Sequence, residues 1–268
     1  MNCHFYKYHG AGNDFIIIDN RKGFFDKTNA KLIAFLCHRR FGIGADGLIT
    51  LEKSAEFDFH MSYFNSDGYE ASMCGNGGRC IVAFANKLGI ISGEANFIAA
   101  DGPHQAFLSP NDNVRLQMLD VENVSSLADG YFLNTGVPHL VCFVNDLKMV
   151  DVDIEGRQLR FDARFQPEGT NVNFVKQKDN QLTVYTYERG VESETLACGT
   201  GITASALSAA YKTGKHEGNF RITAKGGKLD VSFKREGDRF TDIWLTGPAC
   251  LVFEGNINLD EINFNGFE

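Results

Sequence analysis

The chain has 268 residues, 43% of them hydrophobic, which is enough for one large core or two ordinary ones and too many for a disordered chain. A net charge of −8 and a pI near 5.4 argue against nucleic acid or an anionic membrane as the main partner. With no apolar core of signal-peptide length near Met1, no bilayer-length run and seven cysteines lacking a CxxC pair, the expected setting is a reducing cytoplasm with free thiols.

In chain order, Phe5–Tyr8 alternates weakly and leads into an expected loop, Gly10-Ala11-Gly12-Asn13-Asp14. Phe15–Ile18 reads as a strand buried on both faces, and Ala30 to about Arg39 as a helix capped by Thr28 or Asn29. Leu48–Leu51 and the strictly alternating Phe57–Tyr63 read as strands, followed by an Asn65-Ser66-Asp67-Gly68 turn. A first cysteine element, Met73-Cys74-Gly75-Asn76-Gly77-Gly78, opens an apolar helical run that Gly89 closes. Strands are expected at Ala95–Ala99, Gln105–Leu108 and Val114–Leu119, the last two joined by a turn at Pro110-Asn111-Asp112-Asn113. The polar stretch Asp120–Gly130 marks the boundary between halves.

The second half restarts with Tyr131–Leu133, a Gly136-Val137-Pro138-His139 turn and the strand Leu140–Val144. A short helix of weak pattern is expected within 145–160, then paired strands at Asn171–Val175 and Leu182–Tyr187. The second cysteine element, Ala197-Cys198-Gly199-Thr200-Gly201, opens an Ala-rich helix closed by Gly214. Strands at Phe220–Thr223, Leu229–Phe233, Ile243–Thr246 and Leu251–Phe253 complete the chain. Both halves thus run strands, Cys-Gly-X-Gly, buried helix, strands: a duplication of domain size. The expected class is α+β, with two pseudo-symmetric domains at 1–119 and 120–257, each a curled mixed sheet around a central apolar helix.

Each cysteine stands at a helix N-terminus, where unpaired N–H groups and the positive end of the helix dipole favour a thiolate. One such element alone is most simply a Gly-rich turn beside a buried cysteine; two, one per half, are not. A redox dithiol normally has its cysteines close in sequence, and a metal site needs further ligands at short spacing. Proton transfer suits the pair: one thiolate removes a proton from carbon and the opposite thiol returns one on the other face. No cofactor or metal is called for, and the Gly-X-Gly N–H groups are suited to hold a substrate carboxylate.

Gly12-Asn13-Asp14-Phe15, Phe64-Asn65-Ser66-Asp67-Gly68, Met73-Cys74-Gly75-Asn76-Gly77, Pro138-His139, Glu188-Arg189-Gly190 and Glu194-Thr195-Leu196-Ala197-Cys198-Gly199-Thr200-Gly201 closely resemble the diaminopimelate epimerase family, every block in family order. The resemblance implies a pyridoxal-phosphate-independent isomerase converting L,L-2,6-diaminopimelate to the meso form, a step toward lysine and peptidoglycan. It also implies two barrel-like domains with the site in the cleft, and a tail, 258–268, that returns to the first domain. It makes Cys74 and Cys198 the acid–base pair. Asn13, Asn65, Gly75, Asn76, Asn171, Glu188, Arg189, Gly199 and Thr200 become substrate-binding residues, with His139 and Glu188 tuning the cysteines. The expected partner is a small amino-acid substrate, with a homodimer allowed but not specified.

Two positions depart from the family pattern: Gly47 where many members have Gln, and Val137 where many have Asn before Pro-His. Taken singly, Arg189 is most simply a surface ion-pairing residue, His139 a structural histidine, and the asparagines turn residues. Cys3, Cys37, Cys80, Cys142 and Cys250 read as small buried or half-buried residues. The alternatives are a proline or hydroxyproline racemase, which typically has His where this chain has Asn76, and a non-catalytic amino-acid-binding relative, against which both cysteines stand. A phenazine-type isomerase, with a carboxylate in place of the cysteines, fits poorly.

Overall fold

The computed structural model describes residues 1–109, 113–262 and 264. The chain divides into two compact units, Met1–Leu116 with Pro248–Glu268, and Gln117–Gly247. In the first, β1 (Asn2–Gly10) and β2 (Asn13–Asp19) precede α1 (Ala30–Cys37), β3 (Gly47–Glu52), β4 (Phe59–Asn65) and β5 (Glu70–Ala71). Then come α2 (Gly75–Lys87), β6 (Glu94–Ala99), β7 (Gly102–Leu108) and β8 (Asn113–Gln117). The second holds β9 (Ser125–Leu127), β10 (Gly130–Asn134), β11 (Pro138–Phe143), α3 (Val152–Arg160), β12 (Asn171–Lys178), β13 (Gln181–Glu188) and β14 (Ser193–Thr195). It continues through α4 (Gly199–Thr213), β15 (Glu217–Ala224), β16 (Gly227–Glu236) and β17 (Arg239–Pro248), after which β18 (Cys250–Asn258) belongs to the first unit.

The duplication holds pairing by pairing. In the first unit β18–β1, β1–β2, β3–β4, β4–β5, β6–β7 and β7–β8 are antiparallel, while β2–β3 and β4–β6 are parallel. In the second, β9–β10, β10–β11, β12–β13, β13–β14, β15–β16 and β16–β17 are antiparallel, while β11–β12 and β13–β15 are parallel. Each parallel pair is bridged by a helical crossover, as parallel neighbours require. Helix α2 packs against β1, β2, β3 and β7, and α4 against β10 to β13, β15 and β16, so each sheet curls around its own helix.

Local chemistry explains the elements. Asn29 caps α1 by accepting from the Leu32 N–H at 3.0 Å. Gly214 takes φ 67°, ending α4 in a left-handed cap. Ile16, Ile17 and Ile18 are fully buried in β2, a central strand. The helix within 145–160 is α3, begun by Asp151 accepting from Ile154 N–H at 3.0 Å. Its Gly156 lets it lie on Tyr187, whose Cβ would be 2.5 Å from an added methyl.

Five expectations change. Pro138 and His139, expected in a turn, begin β11, paired with Asn134 and Leu133. Asn13 and Asp14 belong to β2, because only Ala11 (φ 53°) and Gly12 (φ 87°) are needed for a two-residue hairpin turn. The short strands β5 and β14, too brief for a pattern, precede the two cysteine elements. Strand β18, read from sequence with the second half, pairs with β1; Leu259, Ile262 and Phe264 follow it onto the cluster containing Leu32, Ile33 and Leu36. Cys250 is exposed. Of the expected turn at 110–113, residues 110–112 lie outside the described residues, as do 263 and 265–268 of the tail.

Candidate active site

Cys74 is the N-cap residue of α2, extended at φ −89° and ψ 126°, with its carbonyl accepting the first helical bond from Gly78 N–H at 2.7 Å. Its thiol donates to Asn13 Oδ1 at 3.5 Å, and Asn76 Nδ2 donates to the same oxygen at 3.2 Å. Arg79, wholly buried, donates to Asn76 Oδ1 at 2.8 Å and to the Gly75 carbonyl at 3.2 Å. Burial pushes its guanidinium down, countered in part by the nearby Cys80 and Cys74 sulfurs. At the other end Asn13 Nδ2 donates to Asp46 Oδ2 at 2.7 Å.

A guanidinium only donates and a carboxylate only accepts, so Arg79 and Asp46 fix both amides between them. The oxygen of Asn13 therefore faces Cys74. Behind it, Arg39 spans Asp14 (2.8 Å) and Asp46 (2.7 Å), and buried Lys7 pairs with Asp14 at 2.7 Å. Although burial works the other way, the bonds from Arg39 and Lys7 hold the Asp14 carboxyl well below the usual range. Asn65 stands exposed at the end of β4, opposite Gly47 in register.

Cys198 occupies the matching N-cap of α4, at φ −110° and ψ 113°, and its sulfur lies 3.4 Å from Thr200 Oγ1. Thr200 Oγ1 is 3.0 Å from His139 Nε2, and His139 Nδ1 is 3.1 Å from Asn173 Nδ2. The Asn173 amide is fixed, because its nitrogen donates to the Leu140 carbonyl at 3.2 Å and its oxygen accepts from Thr186 at 2.9 Å. His139 Nδ1 is thus an acceptor and the ring proton is on Nε2, donating to Thr200. Complete burial, with the positive charge of Arg189 beside it, holds His139 down at about 3, so the ring is neutral. Thr200, having accepted from His139, keeps its own hydroxyl proton available for Cys198.

The remaining predicted residues of this unit lie close by. Asn171 pairs with His139 across β11 and β12, and its Oδ1 accepts from Arg189 N–H at 2.7 Å. Arg189, half-buried, reaches the Glu168 carbonyl at 3.1 Å through its guanidinium; Glu188 ends β13. Burial pushes Cys3 up to about 11 and Cys37 and Cys142 up to about 12, and Cys80 higher still, which leaves them protonated. Among the described residues no group of His, Cys, Asp and Glu is arranged to hold a metal ion, and no helix is long and apolar enough to cross a membrane.

Residues 5–122 and 131–252 match the family described as diaminopimelate epimerase. The chain belongs to the diaminopimelate epimerase family. Relatives named diaminopimelate epimerase include one from Flavobacterium psychrophilum, 54% identical over 94% of this chain and 99% of its own length. Another, from Chlorobaculum tepidum, is 44% identical over 93% of this chain and 99% of its own. Two solved structures share the fold at low identity. A Bacillus anthracis protein of the PhzF phenazine-biosynthesis family has a TM-score of 0.77 at 13% identity, covering 97% of this chain and all of its own. A hydroxyproline epimerase from Agrobacterium vitis has a TM-score of 0.71 at 16% identity, covering 97% and 93%.

In this member of the diaminopimelate epimerase family, the two departures have local settings. A Cβ on Gly47 would lie 2.5 Å from the Phe64 carbonyl oxygen and 2.6 Å from the Tyr63 ring, so Tyr63 fills the space a side chain at 47 would take. Val137 is half-buried after Gly136 (φ 110°), its carbonyl accepting from Thr135 N–H at 3.2 Å. Sequence reasoning missed Asp46, Arg79 and Asn173, which orient the site. Arg79 carried a usable signal, a charge inside an otherwise apolar helix; Asn173 and Asp46 sit in unremarkable runs.

Proposed function

We propose that the chain epimerises L,L-2,6-diaminopimelate to the meso form by two-thiol proton transfer at the α-carbon, serving lysine and peptidoglycan precursor synthesis in the cytoplasm. The division of labour is supported by the contrast between the two sulfur contacts: an acceptor amide oxygen from Asn13 at Cys74, and at Cys198 the Thr200 hydroxyl, which can donate to sulfur while it accepts from His139. A hydrogen bond into sulfur favours the thiolate, and one from sulfur favours the thiol. Cys198 is accordingly the resting base and Cys74 the resting acid; the reverse reaction runs from the swapped state.

Removing the α-proton leaves negative charge on the α-carbon and its carboxylate. The first N–H groups of α2 and α4, at Gly75-Asn76 and Gly199-Thr200, are suited to bind that carboxylate. Asn13, Asn65, Asn171, Glu188 and Arg189 take the rest of the substrate, Arg189 by forked bonds to a carboxylate. Incubation of the protein with L,L-diaminopimelate in deuterated water under reducing conditions should yield the meso isomer with deuterium at the inverted carbon. Exchange with proline but not with diaminopimelate would move the substrate to the proline and hydroxyproline class; exchange with neither would leave only a binding role.

A further inference from the structure

We propose that Asp46 is a positioning residue for proton delivery by Cys74, acting through the side-chain amide of Asn13. The inference rests on the reading of Cys74 as the acid. An asparagine amide presents a donor at one end and an acceptor at the other, and rotation by half a turn exchanges them at little intrinsic cost. Asp46 Oδ2 takes the Asn13 Nδ2–H at 2.7 Å and also the Asp14 N–H at 3.2 Å, so the nitrogen end of the amide is held away from the thiol. The oxygen end is thereby aimed at Cys74.

Asp46 is itself firmly placed. Its other oxygen receives Arg39 at 2.7 Å, and its backbone N–H reaches the Asp14 carbonyl at 3.0 Å. Arg39 is anchored in turn by a forked pair to Asp14 at 2.8 and 3.0 Å. Without the Asp46 carboxylate the nitrogen end of the Asn13 amide loses its acceptor and only the Asn76 Nδ2 bond at 3.2 Å still holds its oxygen, so reversal, which turns a donor toward Cys74 and favours the thiolate where an acid is needed, becomes far less costly.

The competing role for Asp46 is a purely structural ion pair with Arg39, and two variants separate them. Asp46→Ala removes both the ion pair and the acceptor for Asn13; Asp46→Asn removes the ion pair but keeps an acceptor oxygen. With diaminopimelate as substrate, Asp46→Ala should lower kcat roughly tenfold to hundredfold, with a smaller change in KM. Asp46→Asn should recover most of that kcat while sharing whatever stability loss Asp46→Ala suffers. An Asp46→Asn kcat as low as that of Asp46→Ala, or an unimpaired Asp46→Ala, would overturn the proposal. An inactive parent protein would instead defeat the functional reading. The positioning then stands or falls on the Asn13 side-chain amide NMR signal, assigned by its loss in Asn13→Ala. That signal should be slow to exchange in the parent and in Asp46→Asn and fast in Asp46→Ala; slow exchange in Asp46→Ala overturns the proposal.

Discussion

The two cysteine elements share a frame and differ in their wiring. Each cysteine is an N-cap, each helix starts on Gly-X-Gly, and each sheet pairs its strands in the same series. Around Cys74 the contacts are two amides clamped between a buried guanidinium and a carboxylate; around Cys198 they are a hydroxyl, a neutral imidazole and one amide. A duplicated fold supplies symmetry, whereas the proposed division into an acid and a base requires asymmetry.

The sharpest way to break this comparison is to remove each sulfur in turn. Cys74→Ala and Cys198→Ala should each lower net epimerisation by roughly two to four orders of magnitude. They should differ in residual chemistry. Cys74→Ala keeps the resting base, so the epimer that presents its α-proton to Cys198 still exchanges it with solvent without inverting; Cys198→Ala loses that exchange. Identical residual exchange profiles in the two variants would remove the assignment of distinct roles.

The histidine belongs to one unit's wiring, and pH isolates it. The unfolded chain binds a proton on His139 below its ordinary value near 6.5, and the native chain only near 3. Native stability is therefore fully present above about pH 6.5 and falls as pH drops toward 3, by on the order of 5 kcal/mol across the whole window. The Asp14 contribution in the first unit is present above the ordinary carboxylate range and is lost as pH falls through and below it. Urea titrations between pH 7 and 4 should show a flatter dependence for His139→Gln than for the parent; equal slopes would mean that His139 is not held neutral.

A smaller effect compares the helix starts. An added methyl on Gly201 would lie 2.3 Å from Asn173 Oδ1, whose amide is pinned on both ends, whereas one on Gly77 meets the movable Ile49 Cδ1 at 3.0 Å. Gly201→Ala should cost about 1–3 kcal/mol and Gly77→Ala less than about 1 kcal/mol, read from thermal unfolding. Equal losses would contradict the tighter packing of the second helix.

The broad plan was legible in the sequence because it rests on local signals. The apolar run Phe15–Ile18, the alternation Phe57–Tyr63 and the glycines closing both helices each state their structure within a few residues. The repeated Cys-Gly-X-Gly also marked both thiols. What escaped was non-local. Nothing near Asp46 announces that it meets Asn13, and Asn173 in an apolar strand gives no hint of His139 as neighbour. The proposed division of labour depends on which end of an amide faces a sulfur, a property of three-dimensional partners rather than of spacing.

The pairing of β18 with β1 has a consequence for assembly during synthesis. Residues of the second unit are contiguous, so its sheet and helix are complete once Gly247 has left the ribosome. The first unit, although begun earlier, must wait: the outer edge of β1 has no neighbour until residues 250–258 emerge. The later-made half is therefore the first able to finish folding, and the earlier-made half carries an open strand edge throughout elongation, the segment on which premature association or chaperone capture would act.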